Sequence, residues 1–93
     1  MTRTDDELLA LAAKAGAIDT TKPWAPLADD GDALDLMTKL GMLIDVRLSV
    51  RVTEATAGAK GRLFRVAVHH QGNPTTATRR AIVELAAAIG AMP

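Results

Sequence analysis

From Met42 to His70 the apolar residues recur at every second position, whereas on either side they recur at about every 3.6, so the chain must pack helices on a short antiparallel sheet. Met42, Ile44, Val46, Leu48, Val50 and Val52 alternate with Leu43, Asp45, Arg47, Ser49, Arg51 and Thr53, which predicts one continuous strand with its even-numbered side chains facing a core. Residues 54–61, with Gly58 and Gly61, read as a flexible turn. The alternation resumes from Arg62 to His70, with Phe64, Val66 and Val68 inward. Two strands joined this closely form an antiparallel hairpin. Its other face carries Arg47, Arg51 and Arg65, and a polar, basic face of this kind is expected to be solvated.

Three helices are expected around this hairpin. Thr4-Asp5-Asp6-Glu7 has capping-box spacing before the stripe of Leu8, Leu11, Ala12 and Ala15, and Gly16 closes that helix. Residues 17–23 read mainly as loop, with Ala17-Ile18-Asp19 a candidate short strand. Pro23 and Pro26 then set a corner around Trp24, the only tryptophan, whose indole is expected to pack on the stripe of Leu36, Met37 and Leu40. Asp29 or Asp30 caps a helix over about 31–40, with Gly41 as the left-handed residue after it. Trp24, Pro26, Leu36 and Leu40 are the predicted structural anchor. Asn73 as cap and Pro74 in the first helical position start the last helix. Its core stripe is Ala81, Ile82, Leu85, Ala86 and Ile89, and Val83, Ala87 and Ala88 widen the apolar surface beyond one stripe. The predicted class is therefore α+β, a single domain over 1–93 with three helices and a two- or three-stranded antiparallel sheet.

A chain of 93 residues buries only about 60–65% of the surface its unfolded form exposes, and this one has two aromatic residues, so its stability is expected to be modest. Cysteine is absent, which removes disulfides and thiolate metal sites and fits a reducing cytoplasm. No signal peptide or membrane-spanning segment is expected. Acidic and basic residues cancel overall but are segregated. Residues 1–41 carry a net charge of −4 and residues 42–70 a net charge of +3. Such a dipolar chain is suited to associating with itself.

Catalytic and metal-binding patterns are missing. Asp29-Asp30-Gly31-Asp32 with Asp35 lacks the bidentate glutamate that a calcium loop requires, because Leu40 or Gly41 stands there, so these residues read as helix caps. His69 and His70 point to opposite faces of a strand and are read as surface residues. Ser49 is the only serine and has no strand-turn-helix elbow around it, and Gly58-Ala-Lys-Gly61 lacks the spacing of a phosphate loop. The expectation is a non-enzymatic protein without cofactor or metal.

Two surfaces are candidates for contact. Arg47, Arg51 and Arg65, with Lys60 and Arg62 near the turn, can face phosphates or an acidic partner. The only aromatic residue nearby, Phe64, has inward parity, which disfavours base stacking. Val83, Ala87 and Ala88 are candidates for self-association. In the expected homodimer, one hairpin edge pairs about a two-fold axis into a four-stranded sheet.

The order helix, strand, strand, helix from 31 to 90 is similar to that of double-stranded-RNA-binding domains. Those have three strands and a Lys-rich start to the final helix, whereas Arg79-Arg80 stand here. Trp24-Ala-Pro-Leu-Ala-Asp-Asp-Gly-Asp-Ala-Leu and Ala77-Thr-Arg-Arg-Ala-Ile-Val-Glu-Leu-Ala-Ala-Ala resemble blocks of small phage- and prophage-encoded proteins of unknown function, which in turn resemble the phage ABA-sandwich domain. The segment between Gly16 and Pro23 is shorter than in those proteins, where a strand is often present. The resemblance implies helices around a central antiparallel sheet, in a protein made in an infected or lysogenic bacterium, and brings no catalytic residues. The expected role is a protein-interaction module, with nucleic-acid binding through the basic hairpin face as the alternative.

Overall fold

The computed structural model describes residues 3–93. It contains α1 (Asp5–Gly16), α2 (Asp30–Lys39), β1 (Leu43–Arg47), β2 (Val52–Ala59), β3 (Arg62–His69) and α3 (Pro74–Gly90), an α+β arrangement with one antiparallel meander in the order β1-β2-β3.

All three helices start at the predicted caps. The Thr4 hydroxyl accepts from the Glu7 N–H at 3.2 Å while Glu7 accepts from the Thr4 N–H at 3.2 Å. Asp29 accepts from the Asp32 N–H at 3.0 Å, and Asn73 accepts from the Thr76 N–H at 3.0 Å with Pro74 in the first turn. Each bond satisfies an N–H that has no partner within its helix. At the end of α1 it is Ala17, not Gly16, that takes the left-handed conformation (φ 51°). Gly16 instead lies close against α2: a Cβ there would be 2.9 Å from Leu36 Cδ1, so the end of that side chain would have to shift. No strand forms over residues 17–23.

The long strand expected from Met42 to Thr53 is two strands. Leu48, Ser49, Val50 and Arg51 form an exposed reversal that ends with Arg51 in the left-handed region (φ 59°). The reversal changes which parity faces inward. Ile44 lies opposite Ala55 and Val46 opposite Thr53, so after the turn the odd-numbered Thr53, Ala55 and Ala57 point to the core and Val52 does not. The expected flexible segment 54–61 is mostly β2. Only Lys60 and Gly61 make the next turn, both with positive φ (54° and 73°), the geometry that matches strand twist in a two-residue hairpin.

α3 is the middle layer. Ala81, Leu85 and Ile89 pack on Ala55, Ala57, Phe64, Val66 and Val68 of the sheet. The opposite side of α3, Ile82, Val83, Ala86 and Ala87, packs on Leu8 and Ala12 of α1 and on Ala33 and Leu36 of α2. Burying a side chain such as Leu85 or Leu36 contributes about 2 kcal/mol. Asp5 pairs with Arg80 at 3.0 Å and the Leu11 carbonyl lies beside Gly90, so α1 and α3 run in the same direction. The layers are thus sheet, α3, then α1 with α2. The central sheet that the phage-protein resemblance implies is not formed: the sheet is an outer layer, and Leu43, Asp45, Arg47, Leu63, Arg65, Ala67 and His69 lie exposed on its open face.

Candidate functional site

The five basic residues do not form one stripe. Arg47 is occupied, donating from Nε to Asp45 at 2.7 Å and lying 3.2 Å from Glu54. The hydrogen bond to Asp45, with the charges of Glu54 and Asp45, holds its guanidinium even further above its ordinary pKa. Arg51 sits in the β1–β2 reversal, where its carbonyl accepts from the His70 N–H at 2.9 Å. Lys60 and Arg62 lie at the other end of β2, and Lys60 donates to the Met92 carbonyl at 3.1 Å. Arg65 stands alone near the middle of the open face, opposite Thr56. Phe64 faces the core as expected.

The self-association surface read from α3 is corrected. Val83 and Ala87 are 0% exposed and lie under α1, and Ala88 is half-buried. The excess apolar breadth of α3 is matched within the chain, because this helix has neighbours on two sides.

The residues of the predicted tryptophan anchor are packed between the helices. Pro26 and Leu36 are fully buried, Trp24 is partly buried against the cluster containing Leu36, and Leu40 touches both core clusters. Two polar residues outside the predicted anchor hold the corner in place. Asp32 accepts from the Ala25 N–H at 2.8 Å. Arg79 donates from Nε to the Leu27 carbonyl at 2.9 Å, from Nη1 to Asp30 at 2.6 Å and from Nη2 to the Thr76 hydroxyl at 3.2 Å. A planar guanidinium can make such divergent bonds where an ammonium cannot. Arg79 was legible only as a helical charge, because its partners are about 50 residues away.

His69 is exposed, but the surface reading of His70 is wrong. Its Nε2 lies 2.8 Å from the Thr53 hydroxyl in the core, and that hydroxyl is 3.1 Å from Thr78 Oγ1. The cluster joins β2, the end of β3 and α3. It is a buried, hydrogen-bonded polar contact between layers. Among the described residues no group of three or more His, Asp or Glu side chains is placed to hold a metal ion.

An apolar groove lies at the β1 edge. α2 packs on α3 and leaves a groove of about 390 Å³ against β1, lined by Leu34, Met37, Ile44, Val46, Pro74, Thr78 and Ile82 and closed at one end by the Arg79–Asp30 pair. Leu34 is 57% exposed, Val46 43% and Leu48, in the adjoining turn, 68%. Among the described residues no turn, loop or side chain hydrogen-bonds to the free side of β1. Alternation did not reveal this feature, because it placed Val46 and Leu48 inside one long strand.

No helix among the described residues is long and apolar enough to cross a membrane. Comparison with protein-family models, with curated proteins and with solved structures finds no match for this chain.

Proposed function

We propose that the chain is a cytoplasmic accessory protein of a phage or prophage that acts by binding a further protein chain, without catalysis, through the β1 edge and the groove beside it. The phage assignment rests on the resemblance of the Trp24–Leu34 block and of the Ala77–Ala88 segment to such proteins. The observation that carries the docking reading is the coincidence of an unpaired strand edge with exposed Leu34, Val46 and Leu48 around an apolar groove. Apolar side chains grouped in this way mark contact sites, and a free edge supplies backbone donors and acceptors to an incoming strand.

The experiment is site-specific photocrosslinking in the producing cell, with a photoreactive amino acid at Leu34 or Val46 and, for comparison, at Arg65 on the open sheet face. Adducts of defined mass from positions 34 and 46 but not from 65 are expected. Adducts only from position 65, or none, would overturn the reading.

A second reading, nucleic-acid binding, is favoured by Arg62 and Arg65, which are exposed and in no ion pair among the described residues. It predicts retention on duplex DNA that falls steeply with salt and is lost in Arg62→Ala/Arg65→Ala.

A further inference from the structure

The sheet has two free edges, and their charges differ. β3 carries Arg62, Arg65 and His69 and no carboxylate. Two copies of β3 side by side would therefore bring positive charges together with nothing to neutralise them, and basic residues on an edge are a common protection against strand pairing. β1 carries one charge of each sign, Asp45 and Arg47, both on the open face.

We propose that β1 pairs antiparallel with β1 of a second copy, about a two-fold axis at Val46, giving a continuous six-stranded sheet. This inference rests on the docking reading above and names the partner of that surface. The register follows from charge and parity. Antiparallel partners that keep core faces together must be both odd or both even in number, so the axis falls on a residue. An axis at Asp45 sets two carboxylates opposite each other, and an axis at Arg47 sets two guanidiniums opposite each other. An axis at Ile44 sets Asp45 opposite Leu43 and Arg47 opposite Gly41. Only the axis at Val46 sets Asp45 of each copy opposite Arg47 of the other, twice over. Opposite charges in directly facing positions stabilise a strand pair, and like charges oppose it.

The same register places apolar groups together on the helix side. Val46 meets Val46 of the second copy, and Ile44 meets Leu48 of the second copy. Ile44 and Val46 line the groove, and Leu48, in the turn that follows β1, borders the neighbouring hollow that shares Pro74 with it, so each copy would cover the other's exposed Val46 and Leu48 beside the groove. Within β1 the two copies overlap over Asp45, Val46 and Arg47, which gain backbone partners without any change of fold, while Leu43 and Ile44 lie opposite Ser49 and Leu48 of the turn. The pairing replaces the four-stranded dimer expected from the hairpin, because the edge available for it belongs to the additional strand.

Cysteine scanning reads the register directly, since the natural chain has no cysteine. Directly opposed Cβ atoms are about 4.5–5.5 Å apart, close enough for a disulfide after small adjustment. Val46→Cys is expected to oxidise to a covalent dimer. Ile44→Cys and Leu48→Cys should each remain monomeric under the same mild oxidation, whereas an equimolar mixture of the two should cross-link. In sedimentation, Asp45→Arg should weaken association by about tenfold or more. Asp45→Arg/Arg47→Asp should restore it, since the exchanged charges again meet their opposites across the axis, and the arginine introduced at position 45 also faces Glu54 within the chain. Circular dichroism of the reduced cysteine variants verifies the fold independently of the charge changes. A wild-type chain that stays monomeric at every concentration, or efficient cross-linking by Leu48→Cys alone, overturns the proposal. If the wild type is monomeric while photocrosslinking at Leu34 or Val46 still yields an adduct with another protein, the second copy is excluded and the docking reading stands. If both fail, both readings fall.

Discussion

Gly90 of α3 lies directly against the main chain of Leu11 in α1: a Cβ at position 90 would overlap the Leu11 carbonyl oxygen and come within 2.8 Å of its carbonyl carbon. The absent side chain sets how closely the two helices approach. Gly90→Ala is therefore expected to push α1 off α3 at a cost of about 1–3 kcal/mol, which lowers the melting temperature of a domain this size by roughly 4–24 °C. Gly58→Ala is the control, because its nearest new neighbour would be the Arg62 carbonyl oxygen at 3.7 Å. Equal melting of the Gly90 variant and wild type would contradict the parallel α1–α3 contact.

The indole of Trp24 packs against the inter-helix cluster, and its Nε1 is buried without a hydrogen-bond partner among the described residues. Trp24→Ala should lose about 3 kcal/mol, and Trp24→Phe about 1–2 kcal/mol, since the smaller ring keeps part of the packing and leaves part of the indole's space empty. Thermal melts of the two variants measure the two losses, and an alanine variant as stable as wild type would show that the indole is peripheral.

Thr53 and His70 depend on each other. Thr53→Val leaves the His70 ring nitrogen buried without its hydroxyl partner, an expected loss of about 1–3 kcal/mol. Thr53→Val combined with His70→Leu should cost less than the two single changes together, with a coupling of about 1 kcal/mol measured by denaturant unfolding. Strict additivity would mean that the 2.8 Å contact contributes nothing.

Two exposed carboxylates tie stability to acid. Glu7 is held below its ordinary pKa chiefly by the Thr4 N–H and hydroxyl, and Asp19 by the hydroxyl and N–H of Thr21. A depressed folded pKa gives stability that is complete above the unfolded value and is lost as pH falls through the folded one, so both contributions are present at neutral pH and fade below about pH 4. Glu7→Gln keeps a side chain able to complete the capping box but cannot titrate. Its melting temperature should fall less steeply than that of wild type between about pH 5 and pH 3. Parallel curves would rule out the Glu7 share.

The parts of this fold that could be read along the chain are those whose causes lie within a few residues. Thr4 with Glu7, Asp29 with Asp32 and Asn73 with Pro74 are local, and each starts its helix where the spacing says. The β1–β2 reversal was hidden because Leu48-Ser49-Val50-Arg51 has no glycine, proline or asparagine and continues the alternation. Arg51 takes a positive φ there, while its carbonyl is held by the His70 N–H. That partner is distant in sequence, so the turn had no local mark. The same limit governed Val83, Ala87 and His70. Their polarity and spacing were plain, but which of them a distant helix or strand would cover was not. The groove at β1 followed from the missed turn.

The dependence of α1 on α3 also sets an order of assembly. The β2–β3 hairpin closes over two residues and α3 follows at once, so these contacts join neighbouring parts of the chain. The surface that α1 covers is completed only by Ile82 to Gly90. During synthesis the first helix therefore emerges long before its binding site exists, and being short it has little stability alone. It must wait, exposing Leu8 and Leu11, for a loop of more than sixty residues to close. Closing so long a loop costs more entropy than closing the hairpin, so docking of α1 onto α3 is the expected last step of folding.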